Sequence, residues 1–429
     1  MMASIPVIQV LSRNNYEDQY LVSLPKAYPL PPLAPSSIRI KSTILSLTTN
    51  NFAYARIGHL LGWWDVHPLP PSIPAEYSDP TKFGCISAWG YAEVIESNVS
   101  GLEVGTWFWG YLPIGTLPFD MEVKFTDVQG QFVEVSQRRE KQLPIYNRYF
   151  FYPPNSKELL DKESLGYDAL MLILFQTGYM INRYVFAWEP SELVQPSGDS
   201  RDGWTVQHAA LVDDSVVLVF AASGKTALGL AYCLKHDRPA GRKPRMVIGV
   251  GSTKSKAFTE STALYDKVLT YDADSGDLEH PLGLTPDTKI AVIDVGSRDG
   301  AADRWAVKLR KSFSDVVQIQ VAGEFKTESP EEATARFLAR KKVEGYKAVI
   351  NASKMRTQAM DKIGDQRYYD DFAKVWNSVK KGGYIKGMRV VWGEGMEDLG
   401  RGWEKLYKGQ VGPDEGLVFS LVDNSTEKL

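Results

Sequence analysis

Residues 215–229, SVVLVFAASGKTALG, constrain the fold more than any other stretch of this chain. A run of β-branched and aromatic residues ends in a turn of small residues. TALGLAYCLKH comes next, with apolar positions at Ala227, Leu228, Leu230, Ala231 and Leu234, a helical spacing. The segment is therefore expected to run from a buried strand through a tight turn into a helix. The first turn of a helix leaves backbone N–H groups without intrahelical partners and carries the positive end of the helix dipole. A small-residue turn at that point lets a phosphate group approach the backbone closely. Two phosphate-binding patterns compete for the segment. A nucleoside-triphosphate loop requires glycine five residues before Gly224, and position 219 is Val. The dinucleotide pattern fits as Ala221-x-x-Gly224-x-x-Ala227, with alanine at two places that often carry glycine.

The chain beyond this turn keeps a rhythm of alternating strands and helices. RMVIGV at 245–250 leads into GSTKSK and a helical stretch; DKVLTY (266–271), KIAVIDV (289–295), VVQIQV (316–321) and KAVIN (347–351) supply further short apolar runs. Such runs, lacking polar alternation, suit strands covered on both faces of a parallel sheet. A sheet domain that binds no nucleotide would share this rhythm. In a dinucleotide site the end of the second strand usually carries an acid for the ribose hydroxyls of NAD, whereas a 2′-phosphate needs cationic and hydroxyl groups. Residues 249–256 contain no acid and offer Ser252, Thr253, Lys254 and Lys256, so NADP(H) is favoured; solvated loop residues would look the same. Ser223, Gly224, Lys225 and Thr226 are expected to contact the pyrophosphate, with Gly224 the least open to replacement and Lys225 adding a point charge. Tyr271, after the third strand, is placed near the adenosine, and Gly296 and Ser297 end the fourth.

The chain of 429 residues is long enough for two domains, and its net charge of -3 comes without a basic block, which argues against nucleic acid as a partner. No signal-like start is visible, and MLILF at 171–175 is too short to span a bilayer, so a soluble cytoplasmic protein is expected. Cys85 and Cys233 allow no disulfide framework, and with scattered histidines they suggest no metal site. The amino-terminal portion has another texture. Prolines cluster at 25–35 and 68–80, aromatic residues crowd Trp63–Tyr77 and Trp107–Tyr111, and SIRIKSTILSL, YAEVIES and TWFWGYL read as strands of a compact β-rich domain. Its aromatic residues could pack a core or line an apolar pocket. SQRREKQ, before the Tyr-rich PIYNRYFFYPP, reads as a solvated turn.

SIRIKSTILSLTTNNFAY and SAWGYAEVIESNVSGLEVGTWFWGYLPI, with ASGKTALGLAYCLK, VIGVGSTKSKAF and LYDKVLTYD later in the chain, resemble the medium-chain dehydrogenases/reductases over roughly residues 35–350. TTNNFAY, WGYAEV, the SGKTALGLA turn and LYKGQVGPDEGLVFSL are closer still to a branch of that superfamily that is a domain-of-unknown-function family. The resemblance implies an α/β chain: a GroES-like β-rich catalytic domain (1–165), a Rossmann domain with a doubly wound parallel sheet (166–355), and a segment (356–429) that packs back on the catalytic domain. Val104-Gly105-Thr106 replaces the acid of the family's Val-Gly-Asp turn. The cysteine, histidine and glutamate ligands of the zinc enzymes are missing, which points to the zinc-independent quinone- and enoyl-reductase side. That side implies NADP(H)-dependent hydride transfer to an apolar, carbonyl-conjugated small molecule by a monomer or homodimer. Asn50 and Tyr54 are spaced like the asparagine and tyrosine of the related N-P-x-D-Y stretch, so Tyr54 is implied as proton donor or oxyanion partner and Asn50 as positioning group. An asparagine after a strand also commonly makes turn hydrogen bonds. Thr177, in FQTGYM, resembles the Thr-Ala-Tyr turn near the nicotinamide, although a helix threonine commonly bonds its own i−4 carbonyl. Non-redox isomerase, lyase or cyclase chemistry and a non-catalytic nucleotide sensor remain as alternatives.

Overall fold

The computed structural model describes residues 5–25, 30–273, 283–326, 328–339 and 347–422. The chain forms two compact units, one of Met1–Leu170, Thr327–Ala339 and Arg389–Leu429, the other of Met171–Lys326 and Arg340–Met388. The boundary at Leu170 falls inside the helix Lys162–Met180.

In the first unit, β1 (Val7–Ser12) pairs antiparallel with β2 (Gln19–Ser23) and with the short β4 (Phe83–Gly84). The larger sheet runs from β3 (Ser37–Leu47) through β5 (Ser87–Ser97), β6 (Trp107–Pro113), β9 (Arg148–Tyr152) and β8 (Gln131–Glu134) to β7 (Phe119–Phe125). Because β7 pairs back onto β3, these six strands close on themselves as a barrel, which removes the open edges a flat sheet would expose. On the outer side of β3, β17 (Glu415–Ser420) pairs antiparallel, and β16 (Arg389–Glu394) lies parallel to β17.

The second unit is a six-stranded parallel sheet: β10 (Val216–Phe220), β11 (Met246–Gly251), β12 (Lys267–Thr270), β13 (Ile290–Val295), β14 (Val316–Ala322) and β15 (Lys347–Val349). Their spatial order is β12-β11-β10-β13-β14-β15, or 3-2-1-4-5-6 counted from β10, the doubly wound Rossmann order. All of β10 is buried, as an apolar run without alternation should be when both faces are covered. The helix Lys225–His236 that leaves β10 is clamped by the helix Lys162–Met180 through two glycines. A Cβ on Gly178 would stand 2.5 Å from the Leu230 nitrogen, and one on Gly229 would stand 3.0 Å from the Phe175 Cα. The two backbones therefore touch, and the cradle helix has little room to shift.

Three expectations need revising. The tail divides later than the expected boundary at 355, since the helices Ala352–Ile363 and Asp365–Lys381 belong to the Rossmann unit and the chain joins the barrel unit from Arg389. The excursion Thr327–Ala339 also belongs to the barrel unit, although it lies between two Rossmann strands in sequence. SQRREKQ is not a solvated turn: Arg139 is 2% exposed, ion-paired to Glu134 at 2.8 Å and donating to the Tyr149 hydroxyl at 2.9 Å. Barrel closure buries the Glu134 carboxylate, and a buried anion requires a buried cation and donors around it. No described helix is long and apolar enough to cross a membrane.

Candidate functional site

In the Rossmann unit the sheet order reverses between β10 and β13, which pair side by side up to Phe220 and Asp294. Crevices at the carboxyl ends of strands at such a switch point are where ligands bind in this architecture. Ala221 leaves β10 in the left-handed conformation at φ +55°, a place where glycine would be unstrained. The Gly224 N–H then closes the turn onto the Ala221 carbonyl at 2.8 Å. Gly224 is the N-cap of the helix Lys225–His236 and supplies no side-chain acceptor to its first turn. Its φ of −67° is ordinary, and a Cβ added there would stand 3.0 Å from the Ala221 oxygen. The need for glycine at 224 is thus one of space, while the conformational demand falls on Ala221. Ser223, Gly224, Lys225 and Thr226 are all partly exposed along this turn. Loss of hydration pulls the Lys225 ammonium down to about 8, so a nearby anion would favour its charged form.

The flanking groups fit a phosphorylated dinucleotide. The β11 end lies beside the cradle, joined by the Ala222 N–H to the Val250 carbonyl at 3.2 Å, and it carries no carboxylate. Ser252 caps the helix Thr253–Ser261 through a bond from the Ser255 N–H at 3.3 Å, whereas Lys254 is exposed. Asp294 is buried, and its carboxylate accepts from the Gly296 N–H at 3.0 Å and the Ser297 N–H at 2.7 Å; burial raises its pKa despite these donors. Gly296 bends there at φ +107°, a conformation essentially confined to glycine.

Two tyrosines brace the cradle. Tyr271, expected near the adenosine, stacks on Phe220 with its hydroxyl on the Ala221 N–H, and burial pushes its pKa up to about 12. Tyr265, which has no signal in the sequence, donates its hydroxyl to the Ala222 carbonyl at 2.8 Å. Thr177 bonds the Ile173 carbonyl at 3.3 Å, its own i−4 partner, on the helix that clamps the cradle helix.

The second group of candidates stands in the barrel unit, at the start of the helix Thr49–Leu61. Its neighbouring asparagines divide the work. Asn51 makes the capping box, accepting from the Thr48 N–H at 2.8 Å, and donates to the Ser87 carbonyl at 3.1 Å. The turn role is therefore taken, and the Asn50 side chain instead reaches the Tyr54 hydroxyl at 2.5 Å. Trp89 Nε1 donates to the same oxygen at 2.8 Å, and Tyr146 hydrogen-bonds it as well. Tyr54 is 1% exposed and walled by Trp63, Tyr111 and Tyr146, with ring centroids 4.8, 5.1 and 5.9 Å away. Burial drives its pKa far above the ordinary tyrosine value, outweighing the donors that favour the phenolate. Tyr54 is thus the buried centre of a hydroxyl cluster, too enclosed to touch a ligand itself. Trp89 and Tyr146 carried no signal, because they come from a strand and a loop far from residue 54 in sequence.

A closed barrel in one unit and a 3-2-1-4-5-6 parallel sheet in the other, with a small-residue turn at the switch point, give the fold class that the sequence resemblance implied. The chain itself belongs to the family described as "Protein of unknown function (DUF2855)", whose model matches residues 45–412. Solved structures agree on the fold. CurA of Vibrio vulnificus in complex with NADPH shares 13% identity over 98% of this chain and 99% of that one, with a TM-score of 0.53. A mutant enoyl thioester reductase of Candida tropicalis shares 10% identity over 97% and 100%, with a TM-score of 0.55. The CurF ER cyclopropanase of the curacin A biosynthetic pathway shares 12% over 97% and 99%, with a TM-score of 0.51. No curated protein sequence matches the chain.

Proposed function

We propose that this protein is an NADP(H)-dependent, zinc-independent reductase acting on an apolar, carbonyl-conjugated small molecule. The observation that carries the reading is the uncapped Gly224 turn at the β10/β13 switch point, beside a second-strand end that has a lysine and no acid. The NADPH complex of CurA and the enoyl thioester reductase, similar in fold, support the cofactor and the reaction class. When bound, the nicotinamide supplies a hydride to the β-carbon of the conjugated system. The residues of this chain hold and steer. First-turn N–H groups and Lys225 hold the pyrophosphate, Lys254 takes the 2′-phosphate, and Gly296 lets the backbone turn beside the cofactor. In the barrel unit the partly exposed Asn50 stands beside the aromatic wall that seals Tyr54, a setting that suits a flat, apolar ligand with one carbonyl oxygen.

Titration of the purified protein with NADPH and NADH, monitored by tryptophan fluorescence, tests the cofactor. Tighter binding of NADPH, a preference lost in Lys254→Ala, is the expected result; equal affinities in the native protein sink the 2′-phosphate assignment. Consumption of NADPH with a panel of enones and quinones tests the reaction. The cyclopropanase in the set of similar folds supports a second reading, non-redox catalysis, which predicts conversion of substrate while the NADPH absorbance stays constant.

A further inference from the structure

We infer that His67 is an acid-sensitive latch of the barrel unit: its neutral imidazole seats the segment Trp63–His67, and a proton on it unseats that segment and loosens a wall of the Tyr54 cluster. The latch belongs to the barrel unit alone and holds for a reductase and for a non-redox enzyme alike.

The segment follows the helix Thr49–Leu61 through Gly62 and carries Trp63, whose ring centroid lies 4.8 Å from that of Tyr54 and 5.7 Å from that of Tyr146. It is tightly held. Trp64 packs where two glycines leave room: a Cβ on Gly58 would stand 2.7 Å from its ring, and one on Gly84 would stand 2.8 Å from it. The His67 backbone then bridges that of Cys85 in an antiparallel pair. Trp63, Trp64, Val66 and His67 are between 0% and 6% exposed, so the imidazole cannot reach water unless the segment lifts. Inside, it has nothing to bond. Nδ1 and Nε2 are both buried, and neither has a hydrogen-bond partner among the described residues. A neutral imidazole leaves one N–H and one lone pair unmet there, whereas an imidazolium leaves two N–H donors and a whole charge. An unpaired buried charge costs far more than an unpaired neutral group.

The charges around the imidazole oppose a proton as well. His67 packs edge-to-face with Phe119 of β7, ring centroids 4.6 Å apart, and the Arg138 guanidinium lies 4.2 Å from the same Phe119 centroid. Arg138 is fixed there by its ion pair with Glu134 of β8 and by donating to the Asp120 carbonyl at 2.7 Å. Glu134 also pairs with Arg139 at 2.8 Å, and the Asp120 carboxylate pairs with Arg39 at 2.7 Å, so both acids are occupied by arginines. Across the backbone bridge, Cys85 is a neutral thiol whose pKa burial pushes up to about 12. Asp65, on the same segment as His67, is exposed, and Arg13 stands over the Trp64 ring at 5.1 Å. Burial first, then repulsion from Arg139 and Arg138, holds His67 well below the ordinary histidine value of 6.5. The unfolded chain therefore takes up a proton at this residue below about pH 6.5 where the folded chain does not, so stability is full above that pH and is lost as pH falls through it.

Denaturant unfolding of the full-length protein at about pH 7.5 and about pH 5 tests the latch, with His67→Phe, which keeps a ring, and His67→Gln, which keeps a smaller polar group, alongside. Between those pH values the unfolding constant of the native protein is expected to rise about thirtyfold more than that of either variant, the linkage of one proton. Histidine NMR reads the same group in the folded state. The signal missing from His67→Gln is expected to hold its neutral position from about pH 8 to about pH 5, while those of the exposed His59 and His236 titrate. Amide exchange at residues 62–67, referred to the helix Lys225–His236 in the same sample, is expected to quicken over this range in the native protein and not in the variants. A His67 signal that titrates near 6.5 in the folded protein overturns the inference, as does a pH dependence of unfolding shared by the native protein and both variants. Exchange that quickens equally in the segment and in the reference helix also overturns it, because the acid-sensitive step would then lie outside the latch.

Discussion

At the cradle the polar groups belong to the backbone at the open end of the helix Lys225–His236; in the barrel unit they are the side chains of Asn50, Tyr54, Trp89 and Tyr146, which bond one another inside an aromatic wall. The first arrangement leaves first-turn N–H groups without an intrahelical or side-chain partner, open to water or to a ligand. The second is nearly complete by itself, and only its partly exposed members can look outward. One consequence is a difference in what each region tolerates. The cradle should accept changes of side chain that respect its space and backbone angles, whereas the cluster should be insensitive to backbone and intolerant of a lost oxygen.

That contrast can be broken by four substitutions. The largest effect is expected from Gly224→Val. Its φ permits a side chain, but the added bulk crowds the Ala221 oxygen and occupies the approach to the turn, so NADPH affinity should fall about a hundredfold, some 2.7 kcal/mol, with a smaller loss of thermal stability. Large unfolding in place of lost binding would mean that the glycine serves the fold. Tyr54→Phe should do the reverse. Removing the acceptor orphans the buried Trp89 N–H and should cost about 1–3 kcal/mol in denaturant unfolding while NADPH affinity is retained.

Lys225→Met tests charge at the cradle. A lysine pKa lowered to about 8 in the folded protein means that the unfolded chain binds more protons between about 8 and the ordinary lysine value near 10.4, so stability should rise with pH across that window in the native protein and not in the variant. Bound phosphate favours the ammonium form, so NADPH affinity should fall as pH rises above about 8, and the variant, about tenfold weaker, should show a flat profile. The smallest effect is expected from Ala221→Gly. Relief of the left-handed conformation should stabilise the fold by about 1 kcal/mol, partly offset by the greater freedom of glycine in the unfolded chain, with cofactor affinity unchanged.

Legibility of the molecule tracked the range of its interactions. Each Rossmann strand was visible as an apolar run, and the spacing of Ala221, Gly224 and Ala227 marked the turn, because strand, turn and helix are consecutive in sequence. Asn50 and Tyr54 were legible as a pair one helical turn apart. Their roles were not, because the neighbour Asn51 takes the cap and Tyr54 is sealed under rings from distant segments. SQRREKQ misled for the same reason: Arg139 is polar by composition, yet barrel closure places it on the buried Glu134.

What the sequence determined by itself was the class of fold and the place of the small-residue turn at the head of the helix Lys225–His236, since both rest on hydrophobic period and on turn residues adjacent along the chain. Tertiary structure alone decided which polar groups are sealed and which are offered. It brought Trp89 and Tyr146 onto Tyr54, Tyr265 onto the cradle and Gly178 against Gly229. Burial and hydrogen-bond saturation are properties of neighbours in space, and no local pattern encodes them.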